Sequence, residues 1–172
     1  MLREAGIEFV EVPSQNRRQR GTSFKERGAS NFKVDLLVPS PDDSYPTIPV
    51  PELEAHAQGL PYLRYLLAAS QEILVLSSHG TIMARVPLPE RYAIHKLIVS
   101  QLRNKVSSKP EKDLHQAAAL IEALAERYPG AIEDAIAAVP KGAMRNLIRA
   151  FKALSRHLPT EATIAWDTLH GG

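Results

Sequence analysis

The hydrophobic positions follow a strand-like pattern in the first half of the chain and a helix-like pattern in the second. Residues 7–12 alternate apolar and acidic side chains before Pro13, which predicts a short strand. Residues 32–39 form a nearly continuous apolar run, which predicts a strand covered on both faces. Two β-rich runs around a glycine-containing turn predict a hairpin over residues 72–87. Between these last two elements, a short helix is expected around residues 60–69.

From Pro89 onward, apolar residues recur at helical spacing. Four helices are predicted, and they span residues 89–104, 108–129, 131–138 and 140–157. Ser108 and Glu111 have the spacing of a capping box at the start of the second of these helices. Because the strands precede the helices, the predicted fold class is α+β, with a small mixed β-sheet followed by a C-terminal helical bundle.

The 172 residues, 44% of them hydrophobic, are enough for one globular core. The predicted organisation is an α/β part at residues 1–88, a helical part at residues 89–158 and a tail at residues 159–172. Three or four strands make a thin sheet with open edges. We therefore expect either self-association through those edges or a chain that is a piece of something larger.

Charge and cysteine content exclude several classes of protein. The chain has 21 Lys and Arg against 19 Asp and Glu, and so small a surplus argues against a dedicated nucleic-acid coat. It has no cysteine, which excludes a disulfide framework and a cysteine nucleophile. No apolar run approaches the roughly 20 residues of a membrane span, so we expect a cytoplasmic protein without a membrane partner. There is no glycine-rich phosphate loop, and the six histidines are too dispersed to suggest a metal site.

A basic, turn-rich segment follows the first predicted strand. Its cations are Arg17, Arg18, Arg20, Lys25 and Arg27. We expect a loop or a wide hairpin there. The basic loop at residues 17–27 supports one hypothesis for the function, a non-catalytic binding module that is antitoxin-like or contacts nucleic acid. The single aromatic residue in the loop, Phe24, does not make a stacking platform for bases.

Asp35 interrupts the apolar run at residues 32–39. A carboxylate within an apolar strand is costly unless it pairs with a cation, binds a metal or emerges at a strand end. One interpretation is a buried site residue on a central strand, within reach of the predicted helix that carries Lys96. The other is an exposed side chain that forms a salt bridge with a neighbour such as Lys33. The pattern leaves both interpretations open.

Two cations share one stripe of the helix predicted at residues 89–104. Lys96 and Arg103 are two turns apart, opposite the apolar face, so together they can hold a phosphate group. A solvated cationic face is the commoner structure for such a stripe. His95 lies near the edge of the apolar face, where a hydrogen-bonded packing role is more common than catalysis or metal binding.

Charged residues crowd the start of the next predicted helix, namely Lys109, Lys112 and Asp113. Helix N-termini favour anions, and an acid there is often only a partner of the helix dipole. Asp113 also lies at the edge of the apolar stripe, from which it can reach Lys96 or Arg103 on the preceding helix. A structural bridge between the helices and a pair of site residues predict the same contact, so both interpretations stay open.

Four segments, in this order and spacing, carry a resemblance to a known family. They are FKVDLLVP, GLPYLRYLL, VPLPERYAIHKLIVSQLR and KPEKDLHQAAALI, and the resemblance covers roughly residues 2–138. Their combination resembles the bacterial nucleotidyltransferase-fold family called GSU2403-like or type-8 nucleotidyltransferase-like proteins. The lysine-bearing helix followed by a Lys-Asp helix start is also similar to the abortive-infection toxins of that superfamily.

The resemblance implies transfer of a nucleotidyl group from a nucleoside triphosphate to an unknown acceptor, RNA or protein, with carboxylates that hold Mg²⁺. It implies Asp35 as the metal or base carboxylate, Lys96 as a triphosphate contact and Asp113 as an orienting partner at the catalytic site. The weaker candidates for phosphate contacts are the neighbouring basic residues Arg103, Lys109 and Lys112.

The chain departs from the family's pattern ahead of Asp35. Family members carry a Gly-Ser or Gly-Gly turn followed by Asp-x-Asp or Asp-x-Glu. In this chain the acids before Asp35 are Glu4, Glu8, Glu11 and Glu26, and no such turn precedes them. One carboxylate does not hold two metal ions. The expectation is therefore an N-terminally truncated member or a remnant, which binds nucleoside triphosphate weakly and transfers nothing measurable.

Overall fold

Strands occupy the first half of the chain and helices the second, which confirms the predicted α+β class. The protein is seen in a computed structural model that describes residues 8–14, 20–28, 32–78, 80–103, 108–159 and 162–170. The chain divides into two compact units, Met1–Leu63 and Arg64–Gly172. The domain limits expected from the sequence, with a change after residue 88, stay a prediction.

The first unit contains a three-stranded antiparallel sheet in the order β1-β2-β3. Its strands are β1 (Phe9–Val12), β2 (Ser23–Glu26) and β3 (Lys33–Asp35). Strand β1 confirms the strand predicted before Pro13. Strand β2 falls in the segment expected to be a loop or a wide hairpin, and it pairs with both of its neighbours. The basic segment is therefore in part the central strand of a sheet.

The connection from β1 to β2 returns close to β1 at Gly21. Its main-chain N–H donates a hydrogen bond to Oε1 of Glu11 at 2.7 Å. A Cβ atom on residue 21 would collide with the carbonyl oxygen of Val12. The close approach of the two backbones therefore requires glycine at this position.

A second sheet in the first unit is mixed, in the order β4-β6-β5. Its strands are β4 (Leu37–Pro39), β5 (Thr47–Val50) and β6 (Ala55–Leu60), and a single 3₁₀ turn at Pro51–Leu53 precedes β6. The central strand β6 runs parallel to β4 and antiparallel to β5. The sequence does not predict β6, because AHAQGL contains none of the β-branched residues that are typical of strands.

The single covered strand predicted at residues 32–39 is wrong, because the run divides between the two sheets at Leu36. The Leu36 N–H donates to the carbonyl oxygen of Thr22 at 2.9 Å, beside the first sheet. The Leu36 carbonyl oxygen accepts from the N–H of Gln58, at 2.8 Å, in the second sheet. Leu37 is 50% exposed, so the run is not buried on both faces.

The predicted helix around residues 60–69 is present as the short helix α1 (Leu63–Leu67). The predicted hairpin is also confirmed. Its strands are β7 (Ser70–Ser77) and β8 (Gly80–Pro87), which pair antiparallel along their whole length, with Val75 opposite Ile82. Gly80 has a φ of 139°, a conformation that a side chain would strain.

All four predicted helices are confirmed, and a fifth lies in the predicted tail. They are α2 (Pro89–Ser100), α3 (Lys109–Arg127), α4 (Ala131–Ala137), α5 (Lys141–Leu154) and α6 (Thr163–His170). Helix α2 begins at Pro89, where the missing N–H of proline costs no hydrogen bond. The predicted capping box is wrong. Ser108 has helical backbone angles and its side chain makes no capping hydrogen bond.

The core of the second unit is built around α2, which packs against α3, α4 and α5. The largest side chains that it buries completely come from four helices and are Ile94, Leu97, Ile98, Ile121, Ile132, Leu147 and Leu154. Because the apolar stripe of α2 points into this core, the polar stripe that carries Lys96 lies along its border.

Candidate functional site

A buried carboxylate, Asp113, lies in the second turn of α3. Only 4% of the residue is exposed, and the neighbouring Leu114 is also buried. A carboxylate in such surroundings requires charged or hydrogen-bonding partners, because burial without them would remove its hydration without compensation. The structure provides two cationic partners from the preceding segment of chain.

Lys96 and Arg103 both bind Asp113, one at each carboxylate oxygen. Lys96 Nζ donates a hydrogen bond to Oδ1 at 2.8 Å. Arg103 Nε lies 2.6 Å from Oδ2 and forms an ion pair with it. The geometry of this contact does not meet the angle of a hydrogen bond. Lys96 lies on α2, whereas Arg103 lies in the turn that follows the end of α2 at Ser100. The helix predicted to residue 104 therefore ends earlier, and both cations still reach Asp113. We call Lys96, Arg103 and Asp113 the Asp113 cluster.

The Asp113 cluster carries two positive charges and one negative charge. The cationic side chains retain some contact with solvent, since Lys96 is 16% and Arg103 is 24% exposed. Lys96 Nζ also lies 5.1 Å from the centre of the Tyr92 ring, within the range of a cation–π contact. A net positive, partly desolvated cluster of this kind attracts an anion such as phosphate. All three residues of this cluster are among the candidates that the sequence predicts.

Asp35 lies on β3, an edge strand of the first sheet. Its side chain is 54% exposed and forms an ion pair with Lys33 at 3.0 Å. Its Oδ1 atom also accepts a hydrogen bond from the Ser23 hydroxyl at 2.5 Å. The expected burial of Asp35 on a central strand is therefore wrong, and the salt bridge with Lys33, which the sequence analysis gave as the alternative, is present.

The residues around Asp35 do not fit the pair of Mg²⁺ ions that the resemblance implies. Its polar partners include the Ser23 hydroxyl and the Lys33 ammonium group, and the ammonium group repels a cation. Within the described ranges, Asp35 belongs to no group of three or more side chains that can ligate a metal ion. A two-metal site requires several carboxylates, so we derive no chemical step through Mg²⁺.

The remaining candidate residues from the sequence differ in their burial and in their ion pairs. Lys109 and Lys112 are exposed on the first turn of α3. His95 is buried, with 3% of the residue exposed, as expected for a packing residue. In the basic segment, Arg27 forms an ion pair with Glu8 at 2.5 Å, so part of the segment's positive charge is compensated. Two further arginines of that segment, Arg17 and Arg18, lie outside the residues that the structure describes.

The structure also assembles a cluster that the sequence analysis missed. Glu111 and His115 on α3 meet His157, which follows α5. The His115 and His157 rings contact each other edge-on, with centroids 4.2 Å apart. Burial lowers the pKa of His157, and the neighbouring His115 lowers it further, while Glu111 acts in the opposite direction. The i, i+4 spacing of Glu111 and His115 was the only local signal, because His157 lies more than 40 residues further along the chain, after the end of α5.

Comparison with known proteins identifies the family. The model of a nucleotidyltransferase family matches residues 1–140, a range that includes both sheets of the first unit, the β7–β8 hairpin and the whole Asp113 cluster. The chain therefore belongs to this nucleotidyltransferase family. A search of the curated proteins and a search of the solved structures returned no match. None of the helices in the described ranges has the length and apolar character needed to cross a membrane.

Proposed function

We propose that this protein binds a nucleoside triphosphate through the Asp113 cluster and takes part in the transfer of a nucleotidyl group to an acceptor. The observation that carries the proposal is the pair of contacts that Lys96 and Arg103 make with one buried carboxylate. In the proposed role, Asp113 holds the two cations in place and the cations contact the phosphate groups.

The charges of the cluster support phosphate binding over a purely structural bridge. A bridge between two helices needs one cation for one carboxylate, whereas here a second cation is held at the same carboxylate. Phosphate oxygens bind lysine and arginine through charge-assisted hydrogen bonds, each worth roughly 1.5–3 kcal/mol. Lys109 and Lys112, exposed on the first turn of α3, add positive charge close by in sequence and make weaker phosphate contacts in this proposal.

The proposed reaction is that of the family, in which an acceptor oxygen attacks the α-phosphorus and pyrophosphate leaves. We infer the assignment to the type-8 nucleotidyltransferase-like branch from the order of the four segments that resemble it. In that branch Asp35 corresponds to the metal or base carboxylate, and its ion pair with Lys33 in this chain does not fit a pair of Mg²⁺ ions. Because Asp35 belongs to no group of three or more potential metal ligands in the described ranges, we expect this chain by itself to bind nucleotide without measurable transfer.

The binding proposal is tested by equilibrium dialysis of labelled ATP, GTP, CTP and UTP, in EDTA and again in Mg²⁺. Lys96→Met should weaken binding by roughly 10- to 100-fold, as expected for the loss of a charge-assisted contact. Lys96→Arg should retain most of it. Lys152→Met, at an exposed position on α5, is the matched control and should bind as the unaltered protein does.

Circular dichroism of each variant confirms that the fold is retained. Equal affinity of the Lys96→Met variant and the unaltered protein would assign the cluster a purely structural role. Transfer is assayed with the same nucleotides, Mg²⁺ or Mn²⁺, and RNA and protein acceptors, beside an Asp35→Ala control. Label transfer that Asp35→Ala abolishes would show that another acid completes the site.

A further inference from the structure

A cluster of three potential metal ligands lies on the face of α3 opposite to Asp113. Glu111 and His115 are one helical turn apart, and His157 follows the end of α5. One possible ligand atom from each residue lies within 4.8 Å of the other two. His157 Nε2 lies 3.5 Å from Glu111 Oε1.

We propose that Glu111, His115 and His157 bind a divalent transition-metal ion of the zinc type. Two imidazoles and one carboxylate are a donor set that proteins use for Zn²⁺, with water in the fourth position. Imidazole nitrogen favours zinc and its neighbours, whereas Mg²⁺ and Ca²⁺ favour an all-oxygen set. The site is therefore distinct in its chemistry from the Mg²⁺ chemistry of nucleotidyl transfer.

The hydrogen bonding of His115 suits a metal ligand. Its Nδ1 atom lies 3.0 Å from the main-chain carbonyl oxygen of Glu111. A carbonyl oxygen only accepts hydrogen bonds, so this contact places a proton on Nδ1. In the neutral ring, Nε2 then carries the lone pair that a metal requires. Metal-binding histidines commonly donate their other ring nitrogen to a backbone carbonyl in this way.

The spacing of the ligands requires only a small adjustment for a metal ion. Bonds of about 2.0–2.2 Å in a tetrahedral site place ligand atoms roughly 3.4 Å apart. The distance between His157 and Glu111 already meets this value, and the full set lies within 4.8 Å. The His157 side chain is nearly buried and the Glu111 side chain is largely exposed. Rotation of the exposed Glu111 side chain can therefore bring its carboxylate closer to the two imidazoles without disturbing the core.

A bound ion would tie the start of α3 to the end of α5. Asp113 lies between Glu111 and His115 in the sequence, about 200° around the helix from each of them at 100° per residue. The ion would thus stabilise the turns of α3 that present Asp113, without contacting the Asp113 cluster. The proposal stands independently of nucleotide binding.

The test uses the full chain without an affinity tag, freed of metal with EDTA and then dialysed. Calorimetric titration with Zn²⁺ should show a single ion bound per chain, and Co²⁺ should give the visible absorption of a tetrahedral site. His115→Gln and Glu111→Gln should each weaken Zn²⁺ binding by about 100-fold or more. A loss of this size exceeds the effect typical of a residue that only hydrogen-bonds to a metal ligand. Both residues are exposed, so both variants should fold.

Two matched variants control for metal binding elsewhere on the surface. His56→Gln on β6 removes a histidine outside the site, and Glu126→Gln removes an exposed glutamate from the same helix, α3. Both should bind Zn²⁺ as the unaltered protein does. The proposal is overturned if the unaltered chain binds no Zn²⁺, or if His115→Gln and Glu111→Gln bind it as tightly as the controls. A rise in the melting temperature with Zn²⁺, absent in His115→Gln, supports the proposed link between α3 and α5.

Discussion

Lys96 Nζ lies 2.8 Å from Asp113 Oδ1, and this hydrogen bond joins α2 to α3 at the border of the helical core. The bond connects the functional proposal to the stability of the fold. A carboxylate as buried as Asp113 is tolerated because cations compensate it, so each member of the cluster depends on the others. A substitution in the cluster can therefore change both the free energy of unfolding and the nucleotide affinity, so the two quantities have to be measured separately.

We predict that Asp113→Asn destabilises the protein by about 3 kcal/mol, because it leaves Lys96 and Arg103 beside each other without a carboxylate. Lys96→Met should cost less, about 1–2 kcal/mol, because Arg103 still compensates Asp113 and the lysine is partly solvated. Urea unfolding followed by circular dichroism measures both values. Lys152→Met, an exposed lysine, should stay within about 0.5 kcal/mol. An Asp113→Asn variant as stable as this control would contradict the prediction.

Tyr65 provides a test of packing in the same unit. Its hydroxyl donates a hydrogen bond to the carbonyl oxygen of Ala135 at 2.7 Å, in a buried position. Tyr65→Phe removes the hydroxyl and leaves that carbonyl oxygen without this donor. We expect a loss of about 1 kcal/mol in the free energy of unfolding at neutral pH, measured in urea. No change in that free energy would show that the hydrogen bond contributes nothing net.

The same tyrosine predicts a change in stability at alkaline pH. Burial raises the pKa of Tyr65 to about 12, although the Arg91 guanidinium over its ring acts to lower it. The folded state therefore favours the neutral phenol more than the unfolded state does, where the pKa is about 10. The resulting stabilisation is fully present below about pH 10 and is lost as the pH rises through about 12. Spectrophotometric titration of tyrosinate should show a late-titrating group that Tyr65→Phe removes, and its presence in that variant would refute the assignment.

Asp35→Asn should change the free energy of unfolding by less than about 1 kcal/mol, because its salt bridge with Lys33 is exposed. Nucleotide binding in EDTA should be unchanged, since the proposed phosphate contacts involve Lys96 and Arg103. Urea unfolding and equilibrium dialysis measure the two quantities. A loss of several kcal/mol would show that Asp35 has a larger structural role than its exposure indicates.

The hairpin β7–β8 predicts self-association. Leu74, Leu76 and Met83 lie on the same face of the hairpin, and Leu76 is 73% exposed. An exposed apolar hairpin with two open edges favours pairing with a second chain. We expect Leu76→Lys to lower the weight-average mass measured by sedimentation at high protein concentration. Ile148→Lys, which places the same charge at an exposed position on α5, should leave that mass unchanged. A monomeric unaltered protein at every concentration would refute the prediction.

The sequence by itself determined the type and order of most elements, and it predicted that Asp113 can reach Lys96 or Arg103 on the preceding helix. Helical spacing located α2 and α3, because an apolar stripe at a period of 3.6 residues buries only in a helix. The same periodicity placed Lys96 and Arg103 on one stripe and Asp113 at the edge of the next helix. A short connection then limits how far apart these side chains can lie, so local information was sufficient to predict their contacts.

Only the tertiary structure decided the environment of Asp35 and the meeting of His115 with His157. The apolar run that contains Asp35 is compatible with one buried strand or with two partly exposed ones. The choice depends on the hydrogen bonds that Leu36 makes with Thr22 and Gln58. Both partners lie outside the run, so its own pattern does not predict them. His115 lies on α3 and His157 follows the end of α5, and their contact depends on how these two segments pack. Side-chain periodicity reports which face of an element is buried, whereas the partner across that face is set by packing between distant segments.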